Sequence, residues 1–494
     1  MNPTLLLNAG LAPATLQWPV APDLFSVDLR DYQGDILWRV SLAMQLGYRR
    51  ILIVLPTGGG KTKMAAAMIQ SAVAQALTAQ FLVHRKELIR QTSKSFTAES
   101  VEHGFIASGW SIDTASQVTL AGVQTLVNRL DIVLPPKLVI IDEAHHATAA
   151  SWGRILAEYG SDSFIVGLTA TPQRLDGRGL NEHFDIMVEG PTVAELIEWG
   201  YLSPFDYYAP AIPDTTGLKS LGGDFERAAA TALVDRPKLI GDVAEHYLRH
   251  ARGEQGIVFA SSIEHSKRLA DAFRGEGVRA FHVDGTMDDE RDRAMEAFEA
   301  GDIDVLMNVD LFDEGVDVPG IVYLGIHRIT KSLVKHRQQC GRVLRTIRSR
   351  PDKVAVINDH AGNALRGLGL PDAEVEWTLE GQLKGVKTAG GGSSDATSIH
   401  QCKACFLVVP SVVKVCPRCE TEFEVKTRAP RELEGKLSKV EKEQLILDQR
   451  RRRLAEERAC KSVKELYELG IARGYKNPAW WAQQRRKYIP RTRA

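Results

Sequence analysis

The chain has 494 residues, more than one hydrophobic core usually holds, so we expect two or three domains. Its composition, 44% hydrophobic and 25% charged with zero net charge, is that of an ordinary soluble globular protein and excludes little by itself. The sequence has no apolar run of the roughly 20 residues that span a bilayer, and its N-terminal residues lack the basic region of a secretory signal. We therefore expect a cytoplasmic protein without a membrane partner.

The first predicted domain covers residues 27–207, after an N-terminal lead of residues 1–26. From residue 50 onward, short Val, Ile and Leu runs alternate with longer amphipathic stretches. Such runs indicate strands buried on both faces of a parallel sheet, and the stretches between them indicate crossover helices. The strand-like runs are ILIVLP, QFLVH, VTLAG, LVIIDEA and FIVGLTAT.

The second predicted domain covers residues 208–370, where the same alternation starts again. Its strand-like runs are QGIVFASS, RAFHVDG, DVLMNVD, IVYLGIH and KVAVIND. Two sheets of similar size predict the α/β fold class, with two tandem lobes and a cleft between them.

The remainder of the chain changes in composition. A Gly/Ser-rich run predicts a flexible linker over residues 371–398, and four cysteines lie in residues 399–425. Residues 426–494 form a tail of helix-forming composition with 20 Lys and Arg against 9 Asp and Glu, a local balance of +11. This basic tail indicates a polyanion partner; a solvated charged helix is the alternative.

The stretch LPTGGGKT (55–62) has the features of a phosphate-binding loop. It follows a predicted strand and precedes an Ala-rich helical stretch, and its glycines would let backbone N–H groups approach phosphate oxygens. Lys61 would add a positive charge for the outer phosphates, and Thr62 could bind Mg²⁺. Leu55 stands where the usual pattern has Gly, and a glycine-rich helix start is the alternative. The residues expected to bind nucleotide are Thr57, Gly58, Gly59, Gly60, Lys61 and Thr62.

The stretch VIIDEAHH (139–146) supplies the second half of a nucleotide site. Asp142 follows a predicted buried strand, where a carboxylate can hold Mg²⁺, and Glu143 can polarise the attacking water. A charged strand end is the alternative. Because the two motifs occur together, the pair predicts a nucleotide hydrolase much more strongly than either motif alone.

With these motifs, residues 27–370 resemble the superfamily 2 helicases and translocases of the DEAH-box type, whose two lobes are RecA-like. The first lobe has counterparts of the family signatures in chain order: LRDYQ, LPTGGGKT, VHRKELIRQ, AGVQTL, VIIDEAHH and LTATPQR. In the second lobe, GIVFASSIEHSKRLADAF, NVDLFDEGVDVP and QQCGRVLR match its three signatures. The resemblance implies ATP and Mg²⁺ as cofactors and sequence-nonspecific, salt-sensitive nucleic-acid binding.

The resemblance also assigns roles to individual residues. It places Gln33 at the adenine edge, Arg345 as an arginine finger, Arg342 as its helper and Gln338 near the catalytic water. Arginines on a solvated helix are the alternative. By the same match, Asp317 would approach the ribose or link the two sites, and a turn-capping carboxylate is nearly as good an interpretation.

The cysteine stretches CKAC and CPRC predict a zinc ribbon. Two residues separate the cysteines within each pair and ten separate the pairs, which suits tetrahedral Zn²⁺ coordination. Four thiolates leave no open position, so the site should be structural; a redox dithiol pair is the alternative. The expected ligands are Cys402, Cys405, Cys416 and Cys419.

In the tail, Trp480 and Trp481 precede the basic stretch QQRRKY. Aromatic and basic side chains together can stack bases and neutralise phosphates; packing of a small helical cap is the alternative. The order of lobes, cysteine module and basic tail resembles RadD-type bacterial DNA-repair ATPases and related phage helicases.

That resemblance implies DNA, single-stranded, forked or branched, as substrate, with repair or replication proteins as partners. RNA is not excluded, because backbone binding says little about the sugar. The favoured hypothesis is an ATP-dependent DNA helicase or branch-remodelling translocase. The alternatives are the motor subunit of a restriction or defence complex and a nucleic-acid-triggered ATPase switch that does not unwind.

Overall fold

The computed structural model describes thirteen segments of the chain, within two compact units, residues 1–423 and 424–494. None of the helices in these segments combines the length and hydrophobicity that a membrane span requires. The segments are residues 20–21, 26–146, 150–160, 162–174, 178–210, 212–221, 224–312, 320–381, 399–423, 456–457, 459–460, 462–473 and 478–485.

The first lobe is built on a seven-stranded parallel sheet. Its strands are β1 (Arg50–Val54), β2 (Ala79–Val83), β3 (Gly104–Ile106), β4 (Val118–Gly122), β5 (Leu138–Ile141), β6 (Phe164–Thr169) and β7 (Ile186–Glu189). They lie in the order β3-β4-β2-β5-β6-β1-β7. The central strands β2, β5 and β6 are buried along their whole length, because helices cover both faces of the sheet.

The helices of the first lobe within the described residues are α1 (Asp31–Gln45), α2 (Lys61–Ala74), α3 (Lys86–Ala98), α4 (Val123–Leu126), α5 (Ala150–Tyr159) and α6 (Val193–Glu198). The start of α6 is a capping box, in which Thr192 Oγ1 accepts from Glu195 N and Glu195 Oε2 accepts from Thr192 N. By contrast, α2 has Gly60 at its N-cap position, which provides no side-chain cap. The first N–H groups of α2 therefore have no side-chain acceptor at the N-cap and no acceptor within the helix.

The second lobe has a six-stranded parallel sheet and a small antiparallel pair. In chain order its strands are β8 (Phe205–Tyr208), β9 (Ser220–Leu221), β10 (Asp224–Phe225), β11 (Gly256–Phe259), β12 (Ala280–Val283), β13 (Val305–Asn308), β14 (Tyr323–Ile326) and β15 (Ala355–Asp359). The large sheet has the order β12-β13-β11-β14-β15-β8, and β9 pairs with β10. The predicted α/β class with two parallel-sheet lobes is confirmed.

The helices of the second lobe are α7 (Arg227–Val234), α8 (Pro237–His250), α9 (Ile263–Gly275), α10 (Asp288–Glu299) and α11 (Leu333–Val343). Serine caps fix two of them: Ser262 Oγ accepts from His265 N before α9, and Ser332 Oγ accepts from Lys335 N before α11. Helix α11 carries the first six residues of the QQCGRVLR motif, and Leu344 and Arg345 follow its end.

Residues 371–381, here called the strap, run from the second lobe back to the first. The Leu379 carbonyl accepts hydrogen bonds from the N–H groups of Leu180 and its neighbour, at 2.7 and 2.9 Å. Trp377 packs on the core of the first lobe, and the Arg337 guanidinium of α11 lies 6.0 Å from the Trp377 ring centre. The segment predicted as a linker thus begins with residues that contact both lobes; residues 382–398 lie outside the described segments.

The cysteine module packs on the edge of the second sheet. Its strands β16 (Ile399–Gln401) and β17 (Val408–Pro410) are antiparallel. Ala209 N donates to Phe406 O at 3.1 Å, and Cys402 and Leu407 belong to the same buried cluster as Tyr208 of β8. The module therefore covers strand β8, which would otherwise leave an open sheet edge.

In the second unit, helices α12 (Val463–Ala472) and α13 (Pro478–Arg485) pack against each other. The Arg473 guanidinium lies 5.6 Å from the Trp481 ring centre and donates to Glu457 at 2.7 Å. Trp481 therefore has a packing role within this unit. The side chain of Trp480 lies outside the described residues.

Candidate active site

The predicted phosphate loop connects β1 to α2, as the sequence requires. Gly58 and Gly60 have φ angles of +85° and +84°, a region that residues with a side chain rarely adopt. A Cβ atom at Gly60 would also lie 2.2 Å from Gln33 Nε2. Both positions therefore need glycine, and the loop can present its backbone N–H groups to an anion.

Leu55 has a structural reason for replacing the usual first glycine. Its side chain is fully buried beneath the loop, and a Cβ atom on Gly59 would lie 2.6 Å from Leu55 Cγ. Gly190 after β7 makes a similarly close approach to Leu55 Cδ1. The leucine supports the loop from the core, and the conformation of the loop depends on the glycines that follow.

Lys61 is the first residue of α2 and points back over the loop. Its Nζ donates to the Leu55 carbonyl at 3.2 Å. Burial lowers the pKa of Lys61, while the nearby carboxylates of Glu143 and Asp142 counteract that shift. The ammonium lies with these acidic groups in a cleft of low dielectric, where its charge acts strongly on a bound anion.

Asp142 and Glu143 follow β5 and face the same cleft. Glu143 has a left-handed backbone with φ of +47°, and its N–H donates to Asp142 Oδ1 at 3.0 Å. Burial, and next the neighbouring Glu143, raise the pKa of Asp142 to about 7. Within the described residues, Glu143 Oε2 is buried and forms no hydrogen bond. These acceptor oxygens suit a divalent cation and a water molecule.

The DEAH stretch contacts the next strand through its histidine. His145 Nδ1 lies 3.1 Å from Thr169 Oγ1 at the end of β6, and Thr169 Oγ1 donates to Thr171 O at 2.9 Å. The His145 ring is also 3.5 Å from Glu143 Oε2. A movement of the Glu143 side chain can therefore be transmitted to the LTATPQR stretch, through the contact of Glu143 with His145 and the contact of His145 with Thr169.

Helix α11 brings the second-lobe motif against the phosphate loop. A Cβ atom on Gly341 would lie 2.6 Å from Thr57 Cβ, so the two lobes touch where this glycine leaves room. Gln338 and Arg342 are buried at 1% and 6% exposure, and burial lowers the pKa of Arg345. Both amide atoms of Gln338 are without a hydrogen-bond partner among the described residues, as expected for a side chain whose partner is a ligand or water.

The expected adenine-reading residue is bonded to the loop. Gln33 Nε2 donates to Gly59 O at 2.9 Å, and Gln33 Oε1 accepts from Arg30 N at 3.0 Å. Beside it, the Arg30 guanidinium lies 4.4 Å from the ring centre of Tyr201. Tyr201 belongs to the segment between the lobes, and sequence patterns gave no signal for it.

The phosphate loop, the acidic pair and the two arginines line a cleft of about 490 Å³, within the size range of small-molecule sites. Most of the expected site residues line this one space, including a hydroxyl and a carboxylate that suit Mg²⁺. Among its lining residues are Thr57, Gly58, Gly60, Lys61, Thr62, Asp142, Glu143, Arg342 and Arg345, together with Arg30 and Tyr201. Asp317 lies outside the described residues.

The four expected cysteines form one cluster, with sulfur atoms all within 4.8 Å of one another. The Cys402–Cys419 and Cys405–Cys416 sulfurs are 3.5 and 3.6 Å apart. A tetrahedral Zn²⁺ site with Zn–S bonds of about 2.3 Å has sulfur–sulfur edges of about 3.8 Å. The cluster therefore fits zinc.

The two halves of this cluster repeat one turn. Phe406 N donates to Cys402 O and Glu420 N to Cys416 O, each at 2.9 Å, and both donors have positive φ angles. Each of these two turns holds a pair of cysteine side chains, and together they supply the four thiols that a zinc ribbon requires.

Comparisons with known proteins agree with this geometry. Residues 26–174 match the family model described as type III restriction enzyme, res subunit, and residues 239–346 match the helicase conserved C-terminal domain. A 51.5 kDa protein of a Lactococcus phage is 34% identical over 430 residues, covering 86% of this chain and 89% of the phage protein.

Two further relatives carry functional names. A candidate ATP-dependent helicase, IRC3 of Saccharomyces cerevisiae, is 30% identical over 340 residues, covering 64% of this chain and 49% of the yeast protein. The DNA 3'-5' translocase XPB2 of Sulfurisphaera tokodaii is 26% identical over 391 residues, covering 69% of this chain and 83% of the XPB2 chain. This chain thus spans about half the length of the yeast relative.

Each matched region falls within one of the two lobes that line the cavity. The phosphate loop and acidic pair belong to the first region, and the arginine-bearing helix belongs to the second. The chain is a member of the superfamily 2 helicases and an ATP hydrolase of that type.

Proposed function

We propose that the protein is an ATP-driven DNA translocase or helicase that remodels or unwinds DNA during repair, recombination or replication. The observation that carries the proposal is the shared cavity, in which one lobe contributes Lys61 and the acidic pair and the other contributes Arg342 and Arg345. Hydrolysis in such a cavity depends on lobe closure, and closure can move nucleic-acid contacts. The relative named a DNA translocase supports DNA as the track.

In this proposal the first lobe binds the phosphates and prepares the water. The N–H groups of the loop and the Lys61 ammonium hold the β- and γ-phosphates, and Glu143 orients the water and accepts its proton. Thr62 and Asp142 would hold Mg²⁺, which when bound neutralises charge on the transferred phosphoryl group. Gln33 would maintain the loop and read the adenine edge.

The second lobe completes the site only when the lobes are close. Arg345 would stabilise the charge that develops on the γ-phosphate oxygens, with Arg342 beside it and Gln338 bonding the attacking water. Asp317 would approach the ribose of the nucleotide or link the nucleotide site to the nucleic-acid site. Since these groups approach across the cleft, release of phosphate weakens lobe closure and lets the lobes separate.

The cysteine cluster has a structural role in the proposal. Zn²⁺ bound by four thiolates has no open position for a substrate. It would fix the module against β8, and the tail would add basic groups for the DNA backbone.

The second candidate is the motor subunit of a restriction complex. The observation that favours it is the match of residues 26–174 to a family model that is described as type III restriction enzyme, res subunit. In that case the protein should copurify with a nuclease or methyltransferase chain from its native host, and motor activity should increase in the complex.

The experiment is ATP turnover measured with single-stranded, duplex, forked and branched DNA and with RNA, alongside triplex displacement and strand separation. The proposal expects DNA-stimulated turnover together with displacement or separation, both absent in Lys61→Ala. Stimulated turnover without either movement would instead indicate an ATPase switch, and stimulation by RNA alone would reject the DNA assignment.

A further inference from the structure

Lys353 is a buried lysine outside the nucleotide cavity. Only 3% of the residue is exposed, in the turn between α11 and β15. Its Nζ donates to two main-chain carbonyls, those of Val343 at 2.6 Å and Arg345 at 2.5 Å. These carbonyls lie at and just after the end of α11, where helix carbonyls lack partners within the helix and a cation is favourable.

The charge around Lys353 is predominantly positive. Burial, and next the guanidinium groups of Arg350 and Arg345, lower the pKa of Lys353 to about 8, while Glu254 acts in the opposite direction. Glu254 itself is engaged with Arg350 at 2.6 and 2.9 Å. A buried cation bonded to carbonyls is costly to maintain. The hydrogen bonds from Nζ to the two carbonyls offset part of this cost and tie the carbonyls to the lysine.

The Arg345 carbonyl has a second donor from the segment that connects the lobes. Ser203 Oγ donates to Arg345 O at 3.3 Å, and Ser203 N donates to Leu344 O at 2.7 Å. The preceding residue, Leu202, forms an isolated antiparallel bridge with Arg345. The main chain of Arg345 is thus held both by Lys353 and by the connection between the lobes.

The same residues contact the phosphate loop. A Cβ atom on Gly58 would lie 2.8 Å from Leu202 Cδ2 and 3.4 Å from Arg345 Cγ. The base of the Arg345 side chain is therefore packed directly on the loop. A shift of the Arg345 main chain by a fraction of an ångström would change where its guanidinium meets a phosphate.

We infer that Lys353, with Ser203, is a positioning residue that fixes the main chain of Arg345 so that its guanidinium reaches the γ-phosphate in the hydrolysis transition state. The inference rests on the proposed role of Arg345. In this arrangement the Arg345 carbonyl is bonded to Lys353 of the same lobe and to Ser203 of the segment that connects the lobes.

A double-mutant cycle tests this inference. ATP turnover of the full chain is measured with saturating DNA for wild type, Lys353→Met, Arg345→Ala and the double variant. Lys353→Met keeps the aliphatic stem but removes both donors, and it should lower kcat about 10- to 100-fold with KM within about threefold. In the Arg345→Ala background the same change should alter kcat by less than about twofold, because the group being positioned is gone.

The controls separate positioning from general stability. Lys353→Arg, which retains a charged donor, should restore at least part of the loss, and Lys219→Met, at an exposed lysine outside the helicase signatures, should match wild type. If Lys353→Met does not fold, Ser203→Ala replaces it in the cycle, with a smaller loss of kcat that also disappears in the Arg345→Ala background.

Three outcomes would overturn the inference. An unchanged kcat in Lys353→Met would do so, as would an equal loss in both backgrounds or a loss confined to KM. Wild-type turnover in Arg345→Ala would instead reject the proposed finger itself, so failure of the proposed function is distinguishable from failure of the positioning role.

Discussion

At the scale of single residues, Glu143 is the group whose surroundings most suggest chemistry. Its backbone is left-handed, a conformation that costs about 1 kcal/mol or more for a residue with a side chain. Its Oε2 atom is buried without a hydrogen bond among the described residues. An unsatisfied buried carboxylate oxygen is destabilising unless a ligand or water completes it during function.

We therefore predict that Glu143→Gln binds ATP with near-wild-type affinity but lowers kcat by about 100-fold or more, because an amide cannot accept the proton of the attacking water. Nucleotide binding by fluorescence and phosphate release measure the two effects. Glu158→Gln, at an exposed carboxylate on α5, is the matched control. Normal turnover in Glu143→Gln would remove this residue from the water-activating role.

The residues found from sequence share one property, since each belongs to a motif with a fixed local spacing. Lys61 and Asp142 were predicted because glycines precede one and a strand precedes the other. Tyr201 and Lys353 were not predicted, because neither belongs to a recognisable sequence motif and each acts through residues that are far away in the chain. The burial of Leu55 is also tertiary, since Gly59 and Gly190 make room for it.

At the scale of elements, all ten strands predicted from apolar runs are present. The strands missed in the large sheets are β3, β7 and β8, which have only three or four residues; β7 and β8 also mix polar with apolar side chains. Strand β8 joins the second sheet through main-chain pairing with β15. Such pairing depends on the fold of the whole lobe, and four residues of sequence contain too little information to predict it.

For the cysteine module we predict about one zinc per chain, and loss of zinc with lower thermal stability in Cys416→Ser. Cys416 is fully buried in the cluster that includes Tyr208, so loss of the metal would loosen the edge of the second lobe. Metal analysis and thermal unfolding measure both effects, and Cys460→Ser should retain the metal. Correctly folded protein without zinc would reject the ribbon.

For the strap we predict that Trp377→Ala lowers the free energy of unfolding by about 1–3 kcal/mol, because the ring is half buried between the first-lobe core and Arg337. Chemical denaturation provides the measurement. Leu134→Ala, at a side chain that is 88% exposed, should change little. Equal stabilities of the two variants would mean that the strap does not contribute to packing.

At the scale of the whole molecule, stability should depend on a row of buried histidines in the second lobe. The rings of His265, His327, His360 and His246 follow one another with centre distances of 5.9, 4.4 and 5.1 Å. Burial lowers the pKa of His265 to about 4 and that of His360 to about 3, so both are neutral when the chain is folded.

Unfolded histidine binds a proton near pH 6.5, whereas the folded His360 does not until about pH 3. Stability is therefore lost as pH falls below 6.5, by about 2 kcal/mol per such histidine at pH 5. Asp142, with its raised pKa, acts in the opposite direction. We predict that His360→Gln loses less unfolding free energy than wild type between pH 7.5 and pH 5. If urea unfolding shows the same loss of unfolding free energy in His360→Gln and in wild type over this pH range, His360 does not contribute to the pH dependence.

We propose that the two lobes together form one ATP-hydrolysing site and that hydrolysis there drives movement on DNA. The most direct test is DNA-stimulated ATP turnover in wild type and Arg345→Ala, with ATP affinity measured in parallel. We expect Arg345→Ala to bind ATP nearly normally but to lose about 1,000-fold or more in kcat, because the group that stabilises the transition state comes from the opposite lobe. Wild-type turnover in Arg345→Ala, or turnover indifferent to DNA, would contradict this proposal.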